Sequence, residues 1–211
     1  MTAESTKDAG VSPARVEAFS DGVLAIAITL LVLDLHAPPT GQHAGSLAHA
    51  LLSRDQLSSY AAYVVSFLVI GITWLNHHSL FRQIARVDRA VLLLNLLLLL
   101  GLAVLPFPTR LMAAYVTAGG ADAHTAAFAY SLVMAYVALM FSAIWWYVTR
   151  EGGRDLRTPM GPAAVRSSRH RFSIGFVFYL VTLGLAFLSA PLTLAVHGAL
   201  ALYYAFEQLR T

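Results

Sequence analysis

Apolar residues in this chain are gathered into long stretches, such as Val91 to Val104 and Phe172 to Ala190, and the charges are pushed into the gaps between them. A soluble element keeps one polar face and so alternates apolar with polar positions. A chain that instead strings ~20 mainly apolar residues together has to satisfy its backbone polar groups within the segment, and a bilayer-spanning helix does this. Composition agrees: of 211 residues, 58% are hydrophobic and only 12% charged, about half the charged share of an ordinary soluble domain. The expected class is an all-α polytopic membrane protein. Polar residues from Thr2 to Ala9 precede the first apolar run, which continues without a small-residue cleavage site, so the first helix is expected to stay in the mature protein. The absence of cysteine excludes disulfides, thiolate metal sites and thiol catalysis.

At 1.5 Å per residue, ~20 residues cross ~30 Å of hydrocarbon. Six candidate segments emerge, running roughly Phe19 to Leu35, Leu57 to Leu75, Ala90 to Val116, His124 to Val148, Phe172 to Ala190 and Leu192 to Phe206, the last two close to the lower length limit. They form one domain over 1–211, with a polar N-terminal segment 1–14. Pro191 separates the last two, with too few polar residues around it for a long loop, so a tight hairpin or one broken helix is expected there. The leucine run Leu96 to Leu100 is apolar all round and fits lipid contact or buried packing.

Basic residues orient the path. Lys7 and Arg15 precede the first span; Arg82, Arg86 and Arg89 separate the second from the third; Arg150, Arg154, Arg157, Arg166, Arg169 and Arg171 separate the fourth from the fifth; Arg210 ends the chain. All these gaps fall on one side of a six-helix path, and the other side has Arg54, with Arg110 near the outer end of the third span. The positive-inside rule then puts both termini in the cytoplasm. A net charge of +3 reports topology and anionic headgroups, since the arginines are interspersed with acids and no soluble module accompanies them. No nucleic-acid partner is expected.

The first span carries the most informative residues. An ionised aspartate inside a span costs ~2.5 to 3.5 kcal/mol on insertion scales, so Asp21 is expected near the cytoplasmic end or paired inside the bundle. Arg15 and Ser20 are its natural partners in sequence; on local grounds, a plain helix-terminal carboxylate favoured by the macrodipole is an equal reading.

The run Arg15-x-x-x-Phe19-Ser20-Asp21, continuing Gly22-Val-Leu-Ala-Ile-Ala-Ile-Thr-Leu-Leu-Val-Leu, resembles the signature of the transmembrane protein 175 family of cation channels, known from endolysosomes and bacteria. Trp74-Leu-Asn76-His77-His78-Ser-Leu-Phe81 at the end of the second span resembles the family's tryptophan and histidine motif. The resemblance implies a potassium-selective cation channel of the cell membrane, without a cofactor, assembled as a homotetramer because this chain has one six-helix unit. It implies further that Arg15, Phe19, Ser20, Asp21, Trp74, Asn76 and His77 form a network holding the pore helix near the cytoplasmic face.

In the family the first helix of each subunit lines the pore, and the fifth residue after the signature aspartate forms an apolar constriction. That position is Ile26. The family has no re-entrant filter loop, and Gly119-Gly120 here suits a simple turn. At 100° per residue, Thr29, Leu30 and Leu33 return to within about 60° of Ile26 and share one strip with it. Four Ile26 side chains on an axis force partial dehydration of an ion and can gate by dewetting. Potassium sheds water more readily than sodium, and a Thr29 ring offers hydroxyl oxygens in exchange. Without the signature such a strip reads as helix packing or lipid contact, and Thr29 as a hydroxyl bonded to its own backbone.

The remaining candidates are weaker. His77 and His78 point about 100° apart on a helix and cannot share one metal. Asp34 and His36, at the outer end of the first span, read as a water-exposed interfacial cap in preference to a cation funnel. No catalytic triad, phosphate loop or carboxylate pair has spacing that argues for an enzyme. A secondary transporter, which normally shows matched helix breaks in two halves, and a non-conducting scaffold are the alternatives; the break Leu105-Pro106-Phe107-Pro108 is single.

Overall fold

The computed structural model describes residues 11–38, 46–153 and 155–208, and these are helical apart from short connections. In chain order the helices are α1 (Pro13–Leu30), continued by a 3-10 turn over Leu31–Asp34, α2 (Leu47–Leu51), α3 (Arg54–Phe81), α4 (Arg89–Val104), α5 (Pro106–Tyr115), α6 (Gly120–Val148), α7 (Pro162–Leu185) and α8 (Ala190–Gln208). Lys7, Arg154, Arg210 and most of the N-terminal segment lie outside the described residues.

Local chemistry sets these ends. Pro13 and Pro162 open α1 and α7, where a missing N–H costs nothing. Ser53 and Asp88 cap α3 and α4, accepting from the N–H groups of Gln56 and Val91. Burial pushes the Asp88 carboxyl up, but the Tyr147 hydroxyl at 2.6 Å, the Val91 and Ala90 N–H groups and Arg150 outweigh it and leave it below the ordinary carboxylate range. Gly119 and Gly120 take positive φ, 71° and 67°, to turn the chain from α5 into α6.

Among the described residues, four spans are long and apolar enough to cross a membrane: Pro13–Asp34, Arg54–Phe81, Arg89–Tyr115 and Gly120–Val148. The third is α4 and α5 together, bent where Pro106 offers no N–H; Leu105 N–H donates to the Leu102 carbonyl across a tighter turn. α7 has the length but carries Arg166, Arg169 and Arg171 in its first half, and α8 is a shorter apolar helix over Ala190–Ala205. The helices run past several expected ends: α3 continues to Phe81, six residues beyond Leu75, and α7 starts ten residues before Phe172. Composition marks where apolar chain stops, whereas a capped helix continues into the interface. The chain also reverses over residues 186–189, before Pro191, which sits in the first turn of α8 capped by Ser189. Proline suits a helix start better than a helix break.

α6 packs against α4, α5 and α7, while α3 packs against α1, α5 and α8. α1 lies at the edge, held by α3 and α4. Inside a bilayer, lipid is as apolar as leucine, so close approach and buried hydrogen bonds hold helices together. Gly101 of α4 lets the Tyr136 ring in, since a Cβ there would stand 2.7 Å from the ring, and the Tyr136 hydroxyl donates to the Leu97 carbonyl. The hydroxyls of Ser66, Thr109 and Tyr130 join α3, α5 and α6 at 2.8 and 3.1 Å. At the arginine-bearing end the α3–α4 and α6–α7 connections meet: Ala85 N–H donates to the Asp155 carbonyl and Arg157 N–H to that of Gln83, each at 2.8 Å. The two most basic connections therefore lie side by side.

Candidate functional site

α1 has two distinct faces. Val16, Ser20, Leu24, Ala27, Leu31 and Asp34 are buried at steps of three and four, the spacing of one helical face. On the opposite side Ile26, Leu30 and Leu33 are 62%, 42% and 65% exposed, in line with exposed Thr29. Phe19 and Arg15 continue this exposed side toward the N-terminus. Ile28 is turned away from the strip, half-buried and packed against the core beside Ile70 and Gly71 of α3. The four sequence-predicted strip residues thus share one face. Thr29 Oγ donates to its own backbone, with the Ala25 and Ile26 carbonyls both at 2.9 Å. That uses the hydroxyl proton and leaves oxygen lone pairs.

Three links tie the N-terminal half of α1 to α3 and α4 on its buried side. The Trp74 indole N–H donates to Asp21 Oδ1 at 2.8 Å. One turn away, His78 Nδ1 lies 2.7 Å from Glu17 Oε1, an ion pair when the imidazole is protonated. Glu17 and Asp21 are four residues apart, as are Trp74 and His78, so the antiparallel helices pair rung by rung. The third link is fully buried. Asn95 of α4 donates from Nδ2 to Ser20 Oγ at 3.0 Å and faces His77 Nε2 with its Oδ1 at 2.9 Å, while Ser20 donates to the Val16 carbonyl. With the amide nitrogen spent on Ser20, Oδ1 is the acceptor, and His77 carries its proton on Nε2. Phe81 stacks on the His77 ring, centroids 4.3 Å apart.

Some expectations change. Asp21 takes Trp74 as its partner, and Arg15 is exposed and, among the described residues, forms no ion pair with it. Ser20 serves Asn95 and its own backbone in place of Asp21. Asn76 stands outside the Ser20–Asn95–His77 chain and lines a cavity between α3, α6, α7 and α8. His77 and His78 diverge as their adjacency requires. At the other end of α1, Asp34 is not the water-exposed cap expected. Its side chain is 5% exposed and its Oδ1 accepts from Arg110 Nε at 2.7 Å, because α5 brings the arginine over the 3-10 turn. His36 Nδ1 lies 2.9 Å from the Asp34 carbonyl oxygen, and Gln56 donates to the His36 carbonyl.

Asn95 and Glu17 were missed in sequence. Each left a signal: Asn95 is the lone amide in an apolar span, where a polar side chain needs a partner, and Glu17 precedes Asp21 by one helical turn.

Comparison with known proteins places these features in a lineage. A family model described as the endosomal/lysosomal potassium channel TMEM175 matches residues 15–106. A potassium channel of Streptomyces collinus is 56% identical over 195 residues, covering 92% of each chain. A potassium channel of Chamaesiphon minutus is 37% identical, covering 92% of this chain and 93% of its own. Among solved structures, a lysosomal potassium-selective channel TMEM175 homolog from Chamaesiphon minutus superposes with a TM-score of 0.76 at 33% identity, over 93% of this chain and 97% of that one.

Proposed function

Since the chain belongs to the TMEM175 family, we propose that it is a potassium-selective, leak-like cation channel whose central pore is lined by α1 from each of four identical subunits. The family is one of ion channels and not of enzymes. The single observation that carries the pore assignment is the division of α1: every link to α3 and α4 lies on one side, leaving Ile26, Thr29, Leu30 and Leu33 as a free strip on the other. Around a fourfold axis that strip becomes a lining. Ile26 forms its apolar narrowing, which an ion passes by shedding water and which closes by dewetting. The Thr29 oxygens accept cations there, because their protons point back into the helix. Potassium, with the lower dehydration cost, is the ion favoured, and it is the permeant species with no cofactor involved. Ser20, Asp21, Trp74 and His77 of the expected network belong to the same assignment, with Asn95, as the frame that sets the rotation of α1, while Arg15 and Phe19 lie on its exposed side and Asn76 lines the cavity between α3, α6, α7 and α8.

In this reading α7 and α8 are the fifth and sixth crossings, no re-entrant filter loop is used, and residues 1–211 form one membrane domain. The arginine-bearing end, with both termini, faces the cytoplasm of the cell, in line with the positive-inside rule. Recording in a planar bilayer tests the function. Unitary currents reversing near the potassium equilibrium potential are expected; coupled, saturating flux without unitary steps, or no flux, overturns it. Orientation has its own check, since the chain has no native cysteine. A cysteine at Asp122 should react with an impermeant external reagent and one at Arg86 or Gly161 should not, and the reverse pattern sinks the topology. Cross-linking in mild detergent should stop at four subunits; a dimer as the largest species removes the fourfold pore.

A further inference from the structure

The exposed face of α1 does not stop at the Ile26 position. Arg15 precedes Ile26 by eleven residues on the same helix, which is about three turns and 20°, so it lies roughly 16 Å nearer the arginine-bearing end at almost the same azimuth. Exposed Phe19 and Gly22, the latter with open space where a Cβ would point, continue the strip between them. Arg15 is itself exposed and, among the described residues, takes no ion-pair partner.

The other formal charges between Pro13 and Asp34 are turned away from this strip. Glu17 and Asp21 stand about 180° and 140° round from Ile26, where they face His78 and Trp74 of α3. Asp34 is buried against Arg110. The strip therefore carries one charged side chain, and its sign is that of the permeant ion. A guanidinium keeps its proton at any working pH. Cation pores use acidic rings to gather their ion, and basic rings belong to anion pores, so a role other than attracting potassium is needed here.

We propose that Arg15 sets the direction of easy flow: four guanidinium groups, one from each subunit, form a cationic collar at the cytoplasmic mouth of the α1-lined pore, an assignment that rests on the fourfold reading of that pore. A cation entering from the cytoplasm passes the collar before it reaches the Ile26 narrowing, and the collar lowers the local potassium concentration at that entrance. A cation arriving from outside meets the collar only after the narrowing. Outward current is reduced more than inward current, and the difference grows as salt screens the collar less.

Single-channel conductance in inside-out patches under symmetrical potassium chloride tests the collar. In wild type the outward conductance should be about half the inward value or less at ~10 mM salt and about equal to it at ~1 M, as the Debye length falls from ~30 to ~3 Å. Arg15→Gln should remove the difference, Arg15→Lys keep it and Arg15→Glu reverse it. Arg166→Gln removes the same charge from the exposed side of α7, which packs on α6 and α8, and should leave the difference as in wild type. Arg15→Cys lets the charge be set after assembly, because the chain has no native cysteine. From the cytoplasmic side, its thiolate forms a mixed disulfide with methanethiosulfonate ethyltrimethylammonium, releasing methanesulfinate, and the asymmetry should return; the ethylsulfonate reagent should reverse it. Equal conductances in wild type at low salt, an asymmetry that Arg15→Gln or the charged reagents do not move, or an equal effect of Arg166→Gln overturns the collar. If Ile26→Ala still shifts the reversal potential between potassium and sodium, the collar alone falls; if neither residue affects the current, the α1 pore falls with it.

Discussion

His77 on α3 and Asn95 on α4 meet through Nε2 and Oδ1 at 2.9 Å in a site where both side chains are shielded from solvent, and the same amide reaches on to Ser20 of α1. One side chain thus joins three helices at the level of the signature residues. In hydrocarbon each of these polar groups has little alternative to its partner, which gives the link its directional value.

Asn95→Leu keeps the bulk and removes both bonds, stranding the His77 N–H and weakening the hold on Ser20. A loss of about 1 to 3 kcal/mol is expected, read as a lowered thermal transition of the purified assembly. The double variant His77→Leu/Asn95→Leu should recover part of that loss, because no buried donor is left unpaired. A double variant whose loss equals the sum of the two single losses argues that the pair is not coupled as described.

Asp21→Ala removes the acceptor of the Trp74 indole at a site that is partly exposed, so the expected cost is a modest ~1 kcal/mol. Trp74→Phe should produce a similar loss, and the double variant little more than either alone. Ion preference should stay as in wild type. Additive losses in the cycle would show that the two side chains act separately.

Ile26→Ala widens the narrowest ring in the proposed pore and lowers its dewetting barrier, so potassium flux should rise and sodium be excluded less well. Ile28→Ala, on the packed side of the same helix, should cost packing stability and leave ion preference nearly unchanged. Reversal potentials under bi-ionic potassium and sodium decide it. A shift with Ile28→Ala and none with Ile26→Ala means that the pore face is misassigned.

At the outer end of α1, Arg110→Gln should destabilise more than Asp34→Asn. The first leaves a carboxylate that is 5% exposed without its cation; the second leaves a neutral amide facing an arginine that is itself 63% exposed. Losses of about 1 to 3 kcal/mol and under about 1 kcal/mol are expected, from parallel thermal unfolding in detergent. Equal losses would mean that Asp34 is hydrated in the assembled protein.

What the sequence by itself determined is what depends on a local window. Hydropathy over ~20 residues located the first four spans, because the bilayer acts on each segment separately. Arginine placement grouped the connections that the fold brings together. Ile26 came from the resemblance and helical rotation added Thr29, Leu30 and Leu33 to its face, while the signature around Asp21 pointed to the family later shown by its relatives. Partner choice was decided by tertiary structure. Ser20 and Asn95 are 75 residues apart, and nothing local says which buried amide faces which hydroxyl; the relative rotation and depth of packed helices do. The same cause put Trp74 and not Arg15 on Asp21, carried Arg110 over Asp34 and drew that carboxylate out of water. It also turned Asn76 toward a cavity on the far side of its helix. A helix and its depth in the bilayer are properties of one segment, whereas a buried hydrogen bond belongs to two segments at once and exists only after they pack.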